Sequence, residues 1–267
     1  MTPSGNIDDV RTEVVALKAR LDSRDDGPWY KKPSVVISLL ALIFSFGTTV
    51  FSAYNSYQDE IRANRLDVRT ILQRLSKLPL ENYELLQKYK GQGQAEALSG
   101  MINQENILLA TQAVQLLHRF PNSFTSTEFY AVGYALSQSN IMGEVPKLYQ
   151  RAMDLATTSN DYLVAARAYG GYQYGRGEYT EGKRLYNEAL SVWNKFPERN
   201  TFIVNSSDVI TLINWSGSDF MVGNKVEARE RLVDARKRWA VIAPISGPMI
   251  DTLKNQIDYI ARYVDAP

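Results

Sequence analysis

The sequence predicts an all-α fold in which one transmembrane helix precedes a helical C-terminal domain. Residues 34–54 contain no charged residue. On both sides of this segment, apolar residues recur at steps of three and four, as in amphipathic helices. Strand-like alternation is scarce in residues 80–264. We divide the chain into an amphipathic coiled-coil segment (1–28), a transmembrane anchor (29–56), a juxtamembrane stalk (57–79) and a helical domain (80–267).

Composition excludes several kinds of chemistry. The formal net charge of +1 gives no electrostatic case for binding nucleic acid. Cysteine is absent, which excludes disulfides, thiol catalysis and cysteine-based zinc sites. His118 is the one histidine, and no phosphate loop, GxSxG or HExxH motif is present. We therefore expect a protein that is not an enzyme and that uses no cofactor or metal.

The first segment contains a short heptad-like stripe with charged residues around it. The stripe consists of Ile7, Val10, Val14, Leu17 and Leu21. Ser4 precedes it as an N-cap, and Asp8 lies near the positive end of the helix dipole. Two heptads are marginal alone, so this helix pairs with its own copy, pairs with another protein, or lies on the membrane surface.

The anchor is long enough to cross a bilayer, because its charge-free residues span roughly 30 Å at 1.5 Å per residue. Its Val, Ile, Leu and Phe residues favour insertion by roughly 3 to 7 kcal/mol. A core helix of this length would show a polar face, and a cleaved signal peptide would have a shorter apolar run.

Positive residues near the anchor favour a cytoplasmic N-terminus. Before the anchor they are Lys18, Arg20, Arg24, Lys31 and Lys32, and after it they are Arg62, Arg65 and Arg69. The helical domain would then face the periplasm or the cell exterior. Trp29 and Tyr30 suit the membrane interface.

A second apolar stripe follows the anchor in the stalk. Its members are Tyr57, Ile61, Asn64, Val68, Ile71, Leu75 and Leu78. Two packings fit this stripe: a coiled coil of two copies with Asn64 setting the register, or a helix whose apolar face packs on the following domain. A homodimer would also use the small residues of the anchor, which are Ala41, Ser45, Thr49 and Ala53. Pro79 ends the stripe or begins the next helix.

The helical domain contains three segments that align on Ala152, Ala189 and Ala235. The clearest segment is 166–190, in which a large residue precedes Gly170 in a first helix. Gly177 then lies in a turn, and a second helix follows. Early in the second helix, one segment has Val145 and the next has Gly182.

These segments resemble the tetratricopeptide repeat, a helix–turn–helix unit of 34 residues. The resemblance covers about 125–242, weakens in 94–121, and leaves 247–264 as a capping helix. The alanine spacings of 37 and 46 residues depart from the repeat length, and Val145 and Gly182 depart from the small residue that the family has early in its second helix. These departures bear on the regularity of a superhelix more than on the helix-pair architecture. A generic helical bundle is the alternative.

The resemblance implies that the first helices line a concave surface that binds extended peptides or partner helices. The candidate partner-binding residues are Tyr130, Tyr134, Gln138, Arg167, Tyr174, Asn214 and Phe220. Tyrosine and arginine are favoured in binding hot spots, although each tyrosine could instead pack in the core. Arg167 lies among alanines, where a buried cation needs a partner or a ligand.

Three functions follow from this organisation. The first is a membrane-anchored scaffold or adaptor that binds a protein or peptide partner through the groove. The alternative is a helical domain that senses a ligand or glycan and relays a signal through the stalk. An enzyme with a helical-bundle catalytic domain is the third.

Overall fold

The computed structural model describes residues 7–23, 33–90, 94–138, 143–245 and 247–265. The protein is 86% helical, and none of the described residues lies in a strand. The predicted all-α fold class is therefore confirmed. The chain divides into two compact units, whose boundary in the sequence falls between Glu60 and Ile61.

The described part of the chain contains ten α-helices and a short 3₁₀-helix, Val192–Asn194, after α7. The α-helices are α1 (Ile7–Ser23), α2 (Pro33–Lys88), α3 (Gln94–Arg119), α4 (Ser126–Gln138), α5 (Val145–Asp154), α6 (Ser159–Gly175), α7 (Tyr179–Leu190), α8 (Thr201–Met221), α9 (Lys225–Ile242) and α10 (Pro248–Val264).

The first unit contains α1 and the beginning of α2. One apolar window of α2, with none of its residues buried, is long and apolar enough to cross a membrane. Val14 and Leu17 of the α1 stripe are exposed, while Ser4 and the side chains of Ile7, Val10 and Leu21 lie outside the described residues, as do residues 29–32. The coiled-coil role of α1 and the orientation of the anchor stay predictions.

The apolar stripe of the predicted stalk lies on α2, and from Ile61 to Leu78 it is buried or half-buried in the second unit. Tyr57, at the start of the stripe, is 51% exposed. Val68, Leu75 and Leu78 belong to the same core cluster as residues of α3 and α4 such as Leu117 and Val132. The stripe therefore packs on the following domain of the same chain. A coiled coil of two copies would have to use another face of α2.

Pro79 does not end a helix, because α2 continues through it to Lys88. The domain boundary predicted at residues 79 and 80 is therefore not a boundary between helices. Proline cannot donate the helical hydrogen bond. Burial of Leu75 and Leu78 on the preceding turn offsets that loss.

Consecutive helices of the second unit pack as the pairs α4–α5, α6–α7 and α8–α9, and α5 also packs on α6 and α7 on α8. Ala152, Ala189 and Ala235, on which the three segments align, have no exposed surface. The turns inside the last two pairs contain Gly177 and Gly223 at φ 82° and 86°, a conformation that favours glycine.

Close helix contacts depend on glycines that the alignment singles out. A Cβ on Gly170 would lie 3.1 Å from the ring of Tyr186, and a Cβ on Gly182 would lie 2.4 Å from the ring of Tyr174. The predicted capping helix is α10, which packs on α8 and α9 and buries Leu253 and Ile257.

Candidate functional site

Four cavities lie side by side along the second unit, each sharing lining residues with the next. The first and second share Tyr134 and Gln138, the second and third share Gly171 and Gly175, and the third and fourth share residues that include Asn214. In this order their volumes are about 620, 330, 780 and 570 Å³.

We name the first of these spaces the end cavity. It is bounded by α2, α3 and α4. The other three together form the groove, which follows α4, α6, α8 and α10 and contains Tyr134, Tyr172, Asn214 and Tyr259. Three of these helices, α4, α6 and α8, begin the helix pairs, where the repeat resemblance expects a binding surface.

The lining of this row of cavities carries almost no charge. Among the described residues that line it, Arg176 is the one with a formal charge. Its guanidinium lies 5.8 Å from the centre of the Tyr172 ring and donates a 3.4 Å hydrogen bond to the Tyr172 hydroxyl. Tyrosines, amides, small hydroxyls and glycines supply most of the remaining polar surface, so the row suits an uncharged ligand.

Tyr130, Tyr134 and Gln138 come together on α4, as the sequence predicts. All three line the end cavity, and the last two also line the groove. Tyr134 is 50% exposed and stacks on Tyr130 with a centroid separation of 6.1 Å. Asn214, on α8, is exposed and lines two cavities of the groove.

Arg167 has partners within the chain. Its Nε donates to Thr211 Oγ1 at 2.9 Å, and its Nη2 donates to the Ser207 carbonyl at 2.7 Å and to the Ser207 hydroxyl at 2.8 Å. Burial lowers the pKa of Arg167 to about 10, against the charge of Asp208, which acts to raise it. The buried cation therefore has the hydrogen-bond partner that the sequence analysis requires. The partner is α8, and Arg167 lines none of the four cavities.

Tyr174 lies at the edge of the groove but is almost fully buried. Its hydroxyl donates to Asp219 Oδ1 at 2.9 Å and accepts from Trp215 Nε1 at 2.8 Å. Burial raises the pKa of both Tyr174 and Asp219. Tyr174 is thus mainly a link between α6 and α8.

Phe220 lies away from the four cavities and contacts Tyr263 of α10, with 6.3 Å between ring centroids. Five of the seven candidate residues therefore line the row of cavities, and Arg167 and Phe220 do not. Helical periodicity places a residue on a face of its helix only to within a broad angle. Arg167 lies on the side of α6 that contacts α8, and Phe220 lies on the side of α8 that contacts α10.

Sequence reasoning missed two buried aspartates of α8. Asp208 pairs with Arg238 at 2.5 Å and accepts from Trp193 Nε1 at 3.1 Å, while burial raises its pKa. Asp219 Oδ2 has no hydrogen-bond partner in the described part of the chain. Their position on the apolar side of α8 was the available signal, because a carboxylate there needs a buried partner.

The described residues contain no group of three or more His, Cys, Asp or Glu side chains that could hold a metal ion. Comparison of the chain with models of protein families, with curated proteins and with solved structures found no match. The geometry of the second unit is therefore the basis for what we propose next.

Proposed function

We propose that this protein is a single-pass membrane adaptor whose tetratricopeptide-repeat-like domain binds an extended, uncharged segment of a partner protein. The single observation that carries the proposal is the row of adjacent cavities along the second unit, in which the described lining residues include one charged side chain. The apolar window of α2 supplies the membrane attachment.

An uncharged segment suits the groove for electrostatic reasons. A charged side chain that left water for a lining of tyrosines and amides would lose hydration without gaining a counter-charge. Tyrosines such as Tyr134 and Tyr172 bury large apolar surfaces and keep a hydroxyl available for hydrogen bonding. Amides such as Gln138 and Asn214 can pair with the backbone of an extended segment, which needs both donors and acceptors.

Site-specific photocrosslinking in cells tests this proposal with the full-length chain. A photoreactive phenylalanine at Tyr172 or Asn214 should crosslink to a partner protein, because both residues line the groove. The same group at Val233 of α9, which is exposed and lines none of the four cavities, should not. Crosslinks from Val233 alone would contradict the groove as the binding surface.

Charge insertion provides a second measurement on the same surface. Asn214→Glu should weaken partner recovery, and Val233→Glu should leave it unchanged. Arg167→Glu is unsuitable for this purpose, because it would break the hydrogen bonds that join α6 to α8 and would lower binding through loss of structure.

The membrane topology is part of the proposal. We place the N-terminus in the cytoplasm and the helical domain in the periplasm or outside the cell, from the distribution of positive residues. Protease treatment of intact and of opened cells would test it. If the helical domain were digested only after the cytoplasmic membrane is opened, the domain would lie in the cytoplasm and the proposed orientation would be wrong.

Sensing of a ligand or glycan is the second candidate function. The observation that favours it is that α2, the helix that also carries the apolar window, supplies much of the wall of the end cavity. A ligand in that cavity would therefore contact the predicted stalk directly.

A further inference from the structure

We propose that the end cavity binds a neutral, largely apolar small molecule that carries at least one hydrogen-bond donor. Its volume of about 620 Å³ lies within the range of roughly 300–1,000 Å³ that is usual for small-molecule sites. The inference names the ligand class of the second candidate function, and it does not require the groove to bind a protein.

Aliphatic side chains make up about half of the described residues that line the end cavity. Leu72, Leu75, Leu78 and Pro79 come from α2, and Ile102 comes from α3. Transfer of an apolar molecule from water into this lining is favourable in proportion to the apolar surface that is buried.

The same wall excludes charged ligands. Among the described residues that line the end cavity there is no Asp, Glu, Lys, Arg or His. An ion that entered would lose its hydration and meet no counter-charge, which is costly. The ligand is therefore neutral.

Polar groups of the lining come from amides, two serines and two tyrosines. Asn82 of α2 and Asn103 and Asn106 of α3 line the cavity. The Oδ1 atom of Asn82 is shielded from solvent and has no hydrogen-bond partner among the described residues. Rotation of this amide toward a ligand N–H or O–H would supply the missing partner, and an unpaired buried acceptor is unfavourable.

Two sources could supply such a molecule: the lipid of the membrane, or the aqueous compartment around the domain. Both present the same chemistry to the cavity, and the experiment below separates them.

The first measurement uses the full-length protein in lipid nanodiscs and the neutral dye N-phenyl-1-naphthylamine, an apolar molecule with one N–H donor. Ala131 lines the end cavity, whereas Ala97 is an exposed alanine of α3 that lines none of the four cavities. Saturable dye binding should occur in the wild type and in Ala97→Trp. It should be at least about tenfold weaker in Ala131→Trp, which fills the space. Equal binding by all three proteins would overturn the proposal.

The second arm identifies the source. Mass spectrometry of organic extracts would show a neutral lipid with the wild type and Ala97→Trp, and less with Ala131→Trp, if the membrane supplies the ligand. Saturable dye binding without a retained lipid would assign a ligand from the aqueous compartment. Crosslinking at Tyr172 and Asn214 does not involve this cavity, so failure of the adaptor proposal and failure of this one are distinguishable.

A third measurement keeps the proposal testable if Ala131→Trp does not fold. The chain has no cysteine, so Ser99→Cys places a single thiol in the end cavity, and Ser191→Cys places one at an exposed position outside it. Each thiol is allowed to react with a neutral benzyl methanethiosulfonate and with an anionic sulfonatoethyl methanethiosulfonate. The ratio of the neutral to the anionic reaction rate should be at least about tenfold larger for Ser99→Cys than for Ser191→Cys, because the lining disfavours charge. Equal ratios at the two positions would overturn the proposal.

Discussion

Two stretches of the same helix, residues 34–54 and 61–78 of α2, are both rich in large apolar residues but have different surroundings. The first is exposed on every side, and none of its apolar window is buried. The second buries Val68, Leu75 and Leu78 in the core of the second unit.

The difference lies in how charge is distributed around the helix. No charged residue occurs in 34–54, so this stretch has no side that favours water. In 61–78, arginines occupy the other sides and form ion pairs, such as Arg74 with Glu105 at 2.7 Å and Arg69 with Glu128 at 3.2 Å. An all-round apolar surface favours lipid, whereas a single stripe needs only one protein neighbour.

The largest effect that we expect is from a charge in the buried stripe. Val68 has no exposed surface, so Val68→Asp should lower the free energy of unfolding of the second unit by about 3–5 kcal/mol, the cost of an uncompensated buried charge. Urea denaturation followed by circular dichroism measures this loss. Resistance of the protein to extraction by alkaline carbonate should not change.

The next effect is from a charge in the exposed stretch. Leu42→Arg should disfavour membrane insertion by about 2.5–3.5 kcal/mol and should increase the fraction extracted by carbonate. The urea midpoint of the second unit should stay the same, with Leu42→Ala as the control. A shifted midpoint would mean that Leu42 contributes to the folded domain.

A smaller effect should come from Glu128, which joins α2 to the start of α4. Its carboxylate accepts from the Thr125 backbone N–H at 2.8 Å and from Arg69 Nε at 3.2 Å. Glu128→Gln removes the charge from these bonds and should cost about 1–2 kcal/mol of unfolding free energy. Chemical denaturation at neutral pH measures that cost.

Titration gives the same residue a second test. Burial acts to raise the pKa of Glu128, but the Thr125 hydrogen bonds and the charges of Arg65 and Arg69 outweigh it, so the pKa lies below its usual 4.5. A depressed pKa in the folded state adds stability above the unfolded value, and this stability is lost as the pH falls through the folded value. The difference between wild type and Glu128→Gln should therefore shrink below about pH 4.5. A difference in unfolding free energy that stays constant with pH would show that the negative charge of Glu128 does not stabilise the fold.

The smallest effect should be that of Leu66→Asp. It makes the same kind of change as Val68→Asp, two residues earlier on the same helix. Leu66 is 63% exposed, so the change should cost about 0.5 kcal/mol, within the range of surface substitutions. Unfolding of Leu66→Asp as severe as that of Val68→Asp would show that the outer side of α2 is also covered, as in a dimer.

Helical periodicity and turn chemistry were sufficient to predict much of the second unit. The alignment on Ala152, Ala189 and Ala235 located three buried small residues, and Gly177 was placed in a turn. The same reasoning placed Tyr134 and Asn214 on the face that carries the cavities. It also placed Arg167 and Phe220 there, but neither lines a cavity in the structure. The neighbour that covers each of these side chains is distant in sequence.

The amino-acid sequence alone determined the helical class and the segment suited to lipid, because both depend on local patterns of charge and apolar residues within one helix. Tertiary structure decided which side chains stay available to a ligand. It paired Arg167 with Ser207 and Thr211, and it brought residues of α2, α3 and α4 together around the end cavity. Such contacts join residues that are far apart in the chain, and no local pattern specifies them.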